Sequence, residues 1–348
     1  MRTALRAILA SVLLVFIEFG SGHAAQTAPG KNPCEVRLPS APYLDAESSI
    51  RRWSQDYFLD VHFVDPLHGW VAGGDGSIYS TGDGGQSWRS EKLIDPPSGF
   101  LALQIGFRTP QEGWIAAEGQ FFTTQDGGRT WRRTPAPATC TDRIKYITPT
   151  TGWLLSKPNR IFKTVDGGRT WRRQVANLNG IPMDVACFSE RECIVVGSKG
   201  TILTTSDGNH WAARKTPVAG VEISRVQTTR NGVAWALAGE FREGHLLRSD
   251  DKGKSWRTVG EELAHEQDDL MFWDEKKGVI VGPDLFWTND GGLTLNRAKL
   301  TINLRSMHAM HFVDRKVGWA AGGFKTILHT KDGGKTWVEQ YNEYPPAR

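Results

Sequence analysis

Seven aspartates, at positions 83, 126, 166, 207, 251, 290 and 332, each sit in a copy of one octet, of which Thr81-Gly-Asp83-Gly-Gly85-Gln-Ser87-Trp88 is the first. A carboxylate set among hydroxyls and glycines could serve as a general acid or as one ligand of a calcium loop. Spacing excludes both. Intervals of 43, 40, 41, 44, 39 and 42 residues spread the seven groups evenly, so they cannot converge on one substrate. The alternating oxygen ligands and distal Glu of a calcium loop are also missing. Their chemistry is local instead. The carboxylate accepts hydrogen bonds from backbone N–H groups of its own turn, Gly permits the positive φ, a Ser or Thr hydroxyl adds a bond, and the Trp anchors the turn. No catalytic residue, cofactor or metal ligand is expected among them.

Other reactive side chains fall into three groups. Asp60, Asp184 and Asp269 lie near the starts of β-like runs, where two of them could supply the carboxylate pair, about 5–10 Å apart, that a glycoside hydrolase needs. No Ser–His–Asp arrangement or phosphate-binding loop accompanies them. The four cysteines, Cys34, Cys140, Cys187 and Cys193, lack the paired two-residue spacing of a zinc site. An even count in an exported chain favours disulfides. Cys187 and Cys193 flank the polar turn 188–192 and are expected to bridge across a hairpin; Cys34–Cys140 follows by subtraction and would pin an N-terminal tail to the body. Export is read from residues 1–24: Arg2 and Arg6, the apolar run Ala7–Ile17, and a small-residue zone with a cut after Ala24. The apolar run is too short to cross a bilayer, so the mature chain is expected in the periplasm or outside the cell, with no transmembrane span. A net charge of +4 on 348 residues is too weak to imply nucleic acid. The third group, basic residues, is placed only once the elements are known.

A second motif keeps step with the octet. Gly69-Trp70, Gly113-Trp114, Gly152-Trp153 and Gly318-Trp319 precede their aspartates by 13 or 14 residues, with weaker equivalents at Cys193, Gly232-Val233 and Gly278-Val279. Six residues before each comes Phe63, Phe107, Tyr146, Cys187, Val226, Phe272 or Phe312. Each unit thus reads as four short strands, as in 61–64, 70–73, 77–81 and 88–92 of the first. No 3.6-residue apolar period is sustained after the leader. A four-stranded sheet alone cannot bury both faces, so about 40 residues repeated seven times reads as an all-β, seven-bladed β-propeller of antiparallel blades. The 14 tryptophans supply large rings at repeated positions between sheets. Domain boundaries follow: residues 1–24 leader, 25–49 tail, 50–348 propeller. Residues 51–55 resemble the runs that end fourth strands and are expected against the last blade.

The octet resembles the BNR or Asp-box repeat of bacterial sialidases, other glycoside hydrolases and many non-enzymatic propellers. The fuller unit at residues 318–337, Gly-Trp-Ala-Ala-Gly-Gly followed by Thr-Ile-Leu-His-Thr-Lys-Asp-Gly-Gly-Lys-Thr-Trp, more closely resembles the photosystem II assembly and stability factor family. The likeness spans residues 52–340. It implies an assembly chaperone, a non-enzymatic scaffold whose partner is a protein, including a membrane-protein complex under assembly. A monomer is expected. The Phe-Arg-Ile-Pro segment of sialidases is absent, as is a Tyr with a paired Glu, which leaves a glycoside hydrolase as the second reading.

In such blades the turns from strand two to three share one face with the inter-blade links, opposite the Asp-containing turns. That mouth would carry Arg160, Lys199, Arg242, His245 and Lys325 on turns, and Arg143, Arg225 and Arg305 on links. Basic residues outnumber acidic ones in this set, which points to an acidic partner.

Overall fold

The computed structural model describes residues 57–73, 76–92, 104–117, 120–138, 140–240, 243–302 and 306–342. Seven antiparallel sheets follow one another along the chain, each a meander of four strands in sequence order. Blade 1 comprises Phe58–Phe63, Gly69–Gly73, Ser77–Thr81 and Arg89–Lys92. The inner strands of blades 2 to 7 are Gln104–Phe107, Thr141–Tyr146, Pro182–Cys187, Glu222–Thr228, Asp269–Phe272 and Met307–Phe312. Each packs on the next, and the last returns to the first, closing a seven-bladed propeller.

The repeated glycine is explained by what lies over it. Phe63 pairs with Gly69, Phe107 with Gly113, Tyr146 with Gly152, Phe272 with Gly278 and Phe312 with Gly318. A Cβ on Gly318 would sit 2.4 Å from the Phe312 ring, so a flat ring across the strand requires a hydrogen below it. In blade 4 the same pair is Cys187–Cys193, and these two form the expected disulfide. Blade 5 departs from expectation by two residues. Its pair is Thr228–Ala234, not Val226 with Gly232, because Gly232 is used in the hairpin turn at φ +81°. Trp235 is therefore a fifth member of the tryptophan set on second strands.

The tryptophans wedge the blades apart at van der Waals distance. Trp70 stacks on Phe107 of blade 2 at 3.5 Å and Trp235 on Phe272 of blade 6 at 4.1 Å, both within 7° of parallel. Phe63 and Trp319 repeat this contact, at 3.5 Å and 6°, between blades 1 and 7.

The Asp-containing turns do what the spacing implied. In six copies the opening hydroxyl donates to the aspartate Oδ1, and the backbone N–H four residues after the Asp donates to the same oxygen. In the first three copies the hydroxyl of Ser87, Thr130 or Thr170 also donates to Oδ2, and this bond first, with the backbone N–H and the opening hydroxyl after it, holds the Asp83, Asp126 and Asp166 carboxyls down at about 2. The shortened fourth copy substitutes His210, whose N–H and Nδ1 both reach Asp207.

Blade 7 takes its fourth strand, Thr336–Asn342, from the C-terminal end of the described chain, and Lys299–Leu300 from the preceding link adds a fifth, parallel one. Residues 50–55, expected against this blade, lie outside the described residues. Among the described residues the bridge Tyr57–Gly323 joins the backbone of blade 1 to that of blade 7. Gln340 reinforces it, accepting from Trp319 Nε1 at 2.9 Å and donating to Gly84 O at 3.2 Å.

Candidate functional site

Register places one residue of each inner strand at the same height in the channel: Asp60, Gln104, Arg143, Asp184, Arg225, Asp269 and Ala309, each opposite the fourth residue of its second strand. In five of the seven blades a β-bulge falls just before this residue. The polar members sew the blades together. Asp60 accepts Val61 N–H at 3.0 Å and Ile105 N–H of blade 2 at 2.9 Å. Asp184 accepts Val185 N–H at 2.9 Å and Val226 N–H of blade 5 at 3.0 Å. Asp269 accepts Leu270 N–H at 2.9 Å and Met310 N–H of blade 7 at 3.0 Å. Gln104 makes the same crossing, accepting Ile144 N–H of blade 3 at 2.7 Å.

Arg143 and Arg225 complete the ring by charge. Arg143 Nε lies 3.9 Å from Asp184 and Arg225 Nε 3.8 Å from Asp269. The three carboxyls respond differently. Burial raises Asp60 to about 6 against the opposing pull of Arg143. Burial also dominates at Asp269 and raises it, despite Arg225. At Asp184 burial is outweighed by Lys145, Arg143 and Arg225 together, which hold the carboxyl below its ordinary range. One step deeper, His62 and His311 face each other across the blade 7–blade 1 junction with ring centroids 4.7 Å apart. Burial depresses them to about 4 and about 3.

The mouth above this ring is divided. Lys157 pairs with Asp142 at 3.1 Å and offers its carbonyl to Arg160 at 2.8 Å over blade 3. Lys199 is exposed on the blade 4 turn, and Lys325 lies 5.7 Å over the Tyr79 ring at blade 7. Over blades 5 and 6 the charge reverses. Glu222 is raised to about 8, first by burial, then by neighbouring Glu266 and Glu240. His245 is held by Glu243 at 2.8 Å. Of the eight expected mouth residues, Lys199 and Lys325 are on turns of this face, whereas Arg160 opens the third strand of blade 3, Arg160–Thr164, and His245 lies within the third strand of blade 5, Glu243–Ser249. Arg143 and Arg225 instead point into the channel and are neutralised there, and Arg242 and Arg305 lie outside the described residues. The sequence places Glu240 on the loop 240–245 of this face but does not show that Glu222 and Glu266 join it, because the three come from separate segments. Among the described residues no group of three His, Cys, Asp or Glu side chains is arranged to hold a metal ion.

Residues 47–138 and 248–343 match the family model described as "Photosynthesis system II assembly factor YCF48". The chain belongs to the YCF48 family. Among curated relatives it is 25% identical over 292 residues to the photosystem II assembly lipoprotein Ycf48 of Synechococcus sp. (strain CC9902), covering 80% of this chain and 74% of the relative. Solved YCF48 structures superpose well. One, bound to a D1 peptide, gives a TM-score of 0.63 at 22% identity over 80% of this chain and 94% of the other. Another, from Cyanidioschyzon merolae, gives 0.65 at 20% over 80% and 96%. An ancestral GH74 enzyme reaches the same 0.65 at 11% identity over 83% of this chain and 47% of its own length, a likeness of fold alone. No helix among the described residues of this YCF48-family chain is long and apolar enough to cross a membrane.

Proposed function

We propose that this YCF48-family propeller is an exported, non-enzymatic scaffold that captures an acidic segment of a membrane-protein complex during its assembly. The leader at residues 1–24 delivers it to the periplasm or beyond. One observation carries the reading against hydrolysis. Each channel carboxylate, Asp60, Asp184 and Asp269, spends both oxygens on backbone N–H groups of its own and the next blade. A carboxyl so committed is unsuited to deliver a proton or receive a sugar, since release would unpair a buried N–H at about 1–3 kcal/mol. The family relationship supports the same reading, as the named relatives are assembly factors.

The binding residues proposed are the basic sector of the mouth: Arg160, Lys199 and Lys325, together with Arg242 and Arg305, which lie outside the described residues. Arg143 and Arg225 through their ion pairs, and His245 through its hydrogen bond with Glu243, hold that face in shape. Fluorescence anisotropy with short acidic and basic peptides tests this. The acidic peptide should bind more tightly and release with salt. Replacing Arg160, Lys199 and Lys325 together with Ala should weaken it at least tenfold. Equal binding of both peptides, or turnover of aryl glycosides by the purified protein, would overturn the proposal.

A further inference from the structure

Two residues beyond Asp60, Asp269 and Ala309, the inner strands bring a second set of side chains to one height in the channel. His62 pairs with Trp70, Met271 with Val279 and His311 with Trp319, each opposite the second residue of its second strand. These three stand on consecutive blades, 6, 7 and 1, across the closure of the ring. The His62 and His311 ring centroids are 4.7 Å apart. His62 Nε2 lies 3.0 Å from the Phe107 carbonyl. A carbonyl only accepts, so that nitrogen carries the proton and Nδ1 keeps a bare lone pair. Metal-binding histidines are arranged in this way, one nitrogen ligating while the other donates to an oxygen. His311 makes no hydrogen bond among the described residues. Met271 is held in place from blade 5. Gln227 donates to its Sδ at 3.2 Å and to the Phe272 carbonyl at 2.9 Å, and the thioether keeps a second lone pair.

We propose that His62, His311 and Met271 form a binding site for Cu(I) in the channel, set across the junction of blades 6, 7 and 1. Metal–nitrogen bonds of about 2.0–2.1 Å put two imidazole centroids on one ion about 5 Å apart. A small tilt of either ring reaches that from 4.7 Å. The donor set chooses the ion. Two imidazole nitrogens and a thioether are uncharged and soft, which favours Cu(I) over the hard cations that carboxylates hold. The nearest carboxylates along these strands, Asp60 and Asp269, are withheld, because each oxygen accepts a backbone N–H. Lys145 stands at the same height on blade 3, close enough to Asp184 to act on its charge. Its own charge opposes a divalent ion twice as strongly as a monovalent one. The three ligands are half-buried, so the ion is shielded from bulk water and still reachable along the channel. Bound there, it ties blade 7 to blade 1 where the ring closes.

The site stands apart from whatever the mouth captures, and its test needs no peptide. Cu(I), kept reduced by ascorbate under anaerobic conditions, is titrated into the purified chain in competition with bicinchoninate. Cys140, Cys187 and Cys193 are disulfide-bonded and Cys34 lies outside the described residues, so alkylating the sample first removes any thiol from the competition. The chain should withdraw one equivalent of Cu(I). His62→Gln and His311→Gln should each weaken binding at least tenfold, and Met271→Leu, close to the original volume, at least threefold. At free Cu(I) a hundred times its dissociation constant, Tm should rise by about 4 °C in the wild type and stay level in the histidine variants. Should a histidine variant fold poorly, X-ray absorption on the copper-loaded wild type decides, with two nitrogens at about 2.0 Å and one sulfur at about 2.3 Å from the ion. Failure to retain Cu(I), binding unchanged in any of the three variants, or a copper shell without sulfur would overturn the site.

Discussion

Replacing Phe63 with Ala probes the junction on which the ring depends. Phe63 is 2% exposed, lies flat on Trp319 of blade 7 at 3.5 Å, meets Trp88 edge-on at 6.0 Å and covers Gly69 across its own hairpin. A buried Phe→Ala change costs about 3–5 kcal/mol from lost transfer energy and cavity, and the stacked pair contributes a further ~1 kcal/mol. Unfolding entropy for a domain of this size is about 0.6 kcal/mol/K. A loss of 4 kcal/mol therefore lowers Tm by about 6–7 °C. Phe107→Ala, whose ring makes the same contact with Trp70, should cost a similar amount by calorimetry. The two should differ in hydrogen exchange. Blades 1 and 2 are joined by chain, whereas blades 1 and 7 meet mainly through side chains, so Phe63→Ala alone should release the inner strands of both its blades together. A Tm within 2 °C of wild type, or exchange confined to blade 1, would refute the argument that this stack closes the ring.

Three further outcomes are expected. Asp126→Ala removes an acceptor of three hydrogen bonds in its turn, two from Thr130 and one from Thr124, and should cost about 1–2 kcal/mol at neutral pH in denaturant titration. Because the native carboxyls of these turns sit at about 2, below their unfolded values, their contribution is complete above pH 4 and is lost as pH falls toward 2; Asp126→Ala should make that acid loss shallower. Glu222 runs the other way. Its carboxyl at about 8 keeps its proton in the folded state while the unfolded chain loses it near 4.5, so stability should fall between pH 4.5 and 8, and Glu222→Gln should gain up to about 4 kcal/mol at pH 8 and flatten that slope. Finally, Cys187→Ser with Cys193→Ser opens a short loop and should cost about 2–3 kcal/mol, whereas Cys187→Phe with Cys193→Gly rebuilds the ring-over-glycine pair of the other blades and should recover most of it in Tm.

The blades were legible because their defining signals are local. Threonine, aspartate and two glycines within five residues close their own turn, and an aromatic residue six positions before a glycine reads as one hairpin. Blade 5 misled because Asn231-Gly232 satisfies a turn with the very residue sought as the small partner of the ring, while Ala234 did that work. The channel was not legible. Asp60 reaches Ile105, Gln104 reaches Ile144 and Asp184 reaches Val226, separations of 40 to 45 residues that equal the repeat itself. Such a partner is always the same place in the next blade, so the sequence around either residue looks like any other inner strand. Arg143 and Arg225, expected on the links between blades, lie instead within inner strands, and whether they face the solvent or the carboxylate of the following blade depends on the bulge before them.

The rims of the blades carry their own consequence. Outer strands are short, two residues in blades 3, 4 and 6, and they display Arg132 with Arg133, Arg172 with Arg173, and Arg297. The two longest, of seven residues each, belong to blades 5 and 7, and that of blade 7 is half sealed by Lys299–Leu300 lying parallel to Thr336–Trp337. Unpaired sheet edges invite foreign strands, and brevity, cationic side chains and a covering segment are the common ways of turning them away. Lateral polymerisation by strand addition is thereby discouraged around the circumference, and recognition is left to the two flat ends of the disc.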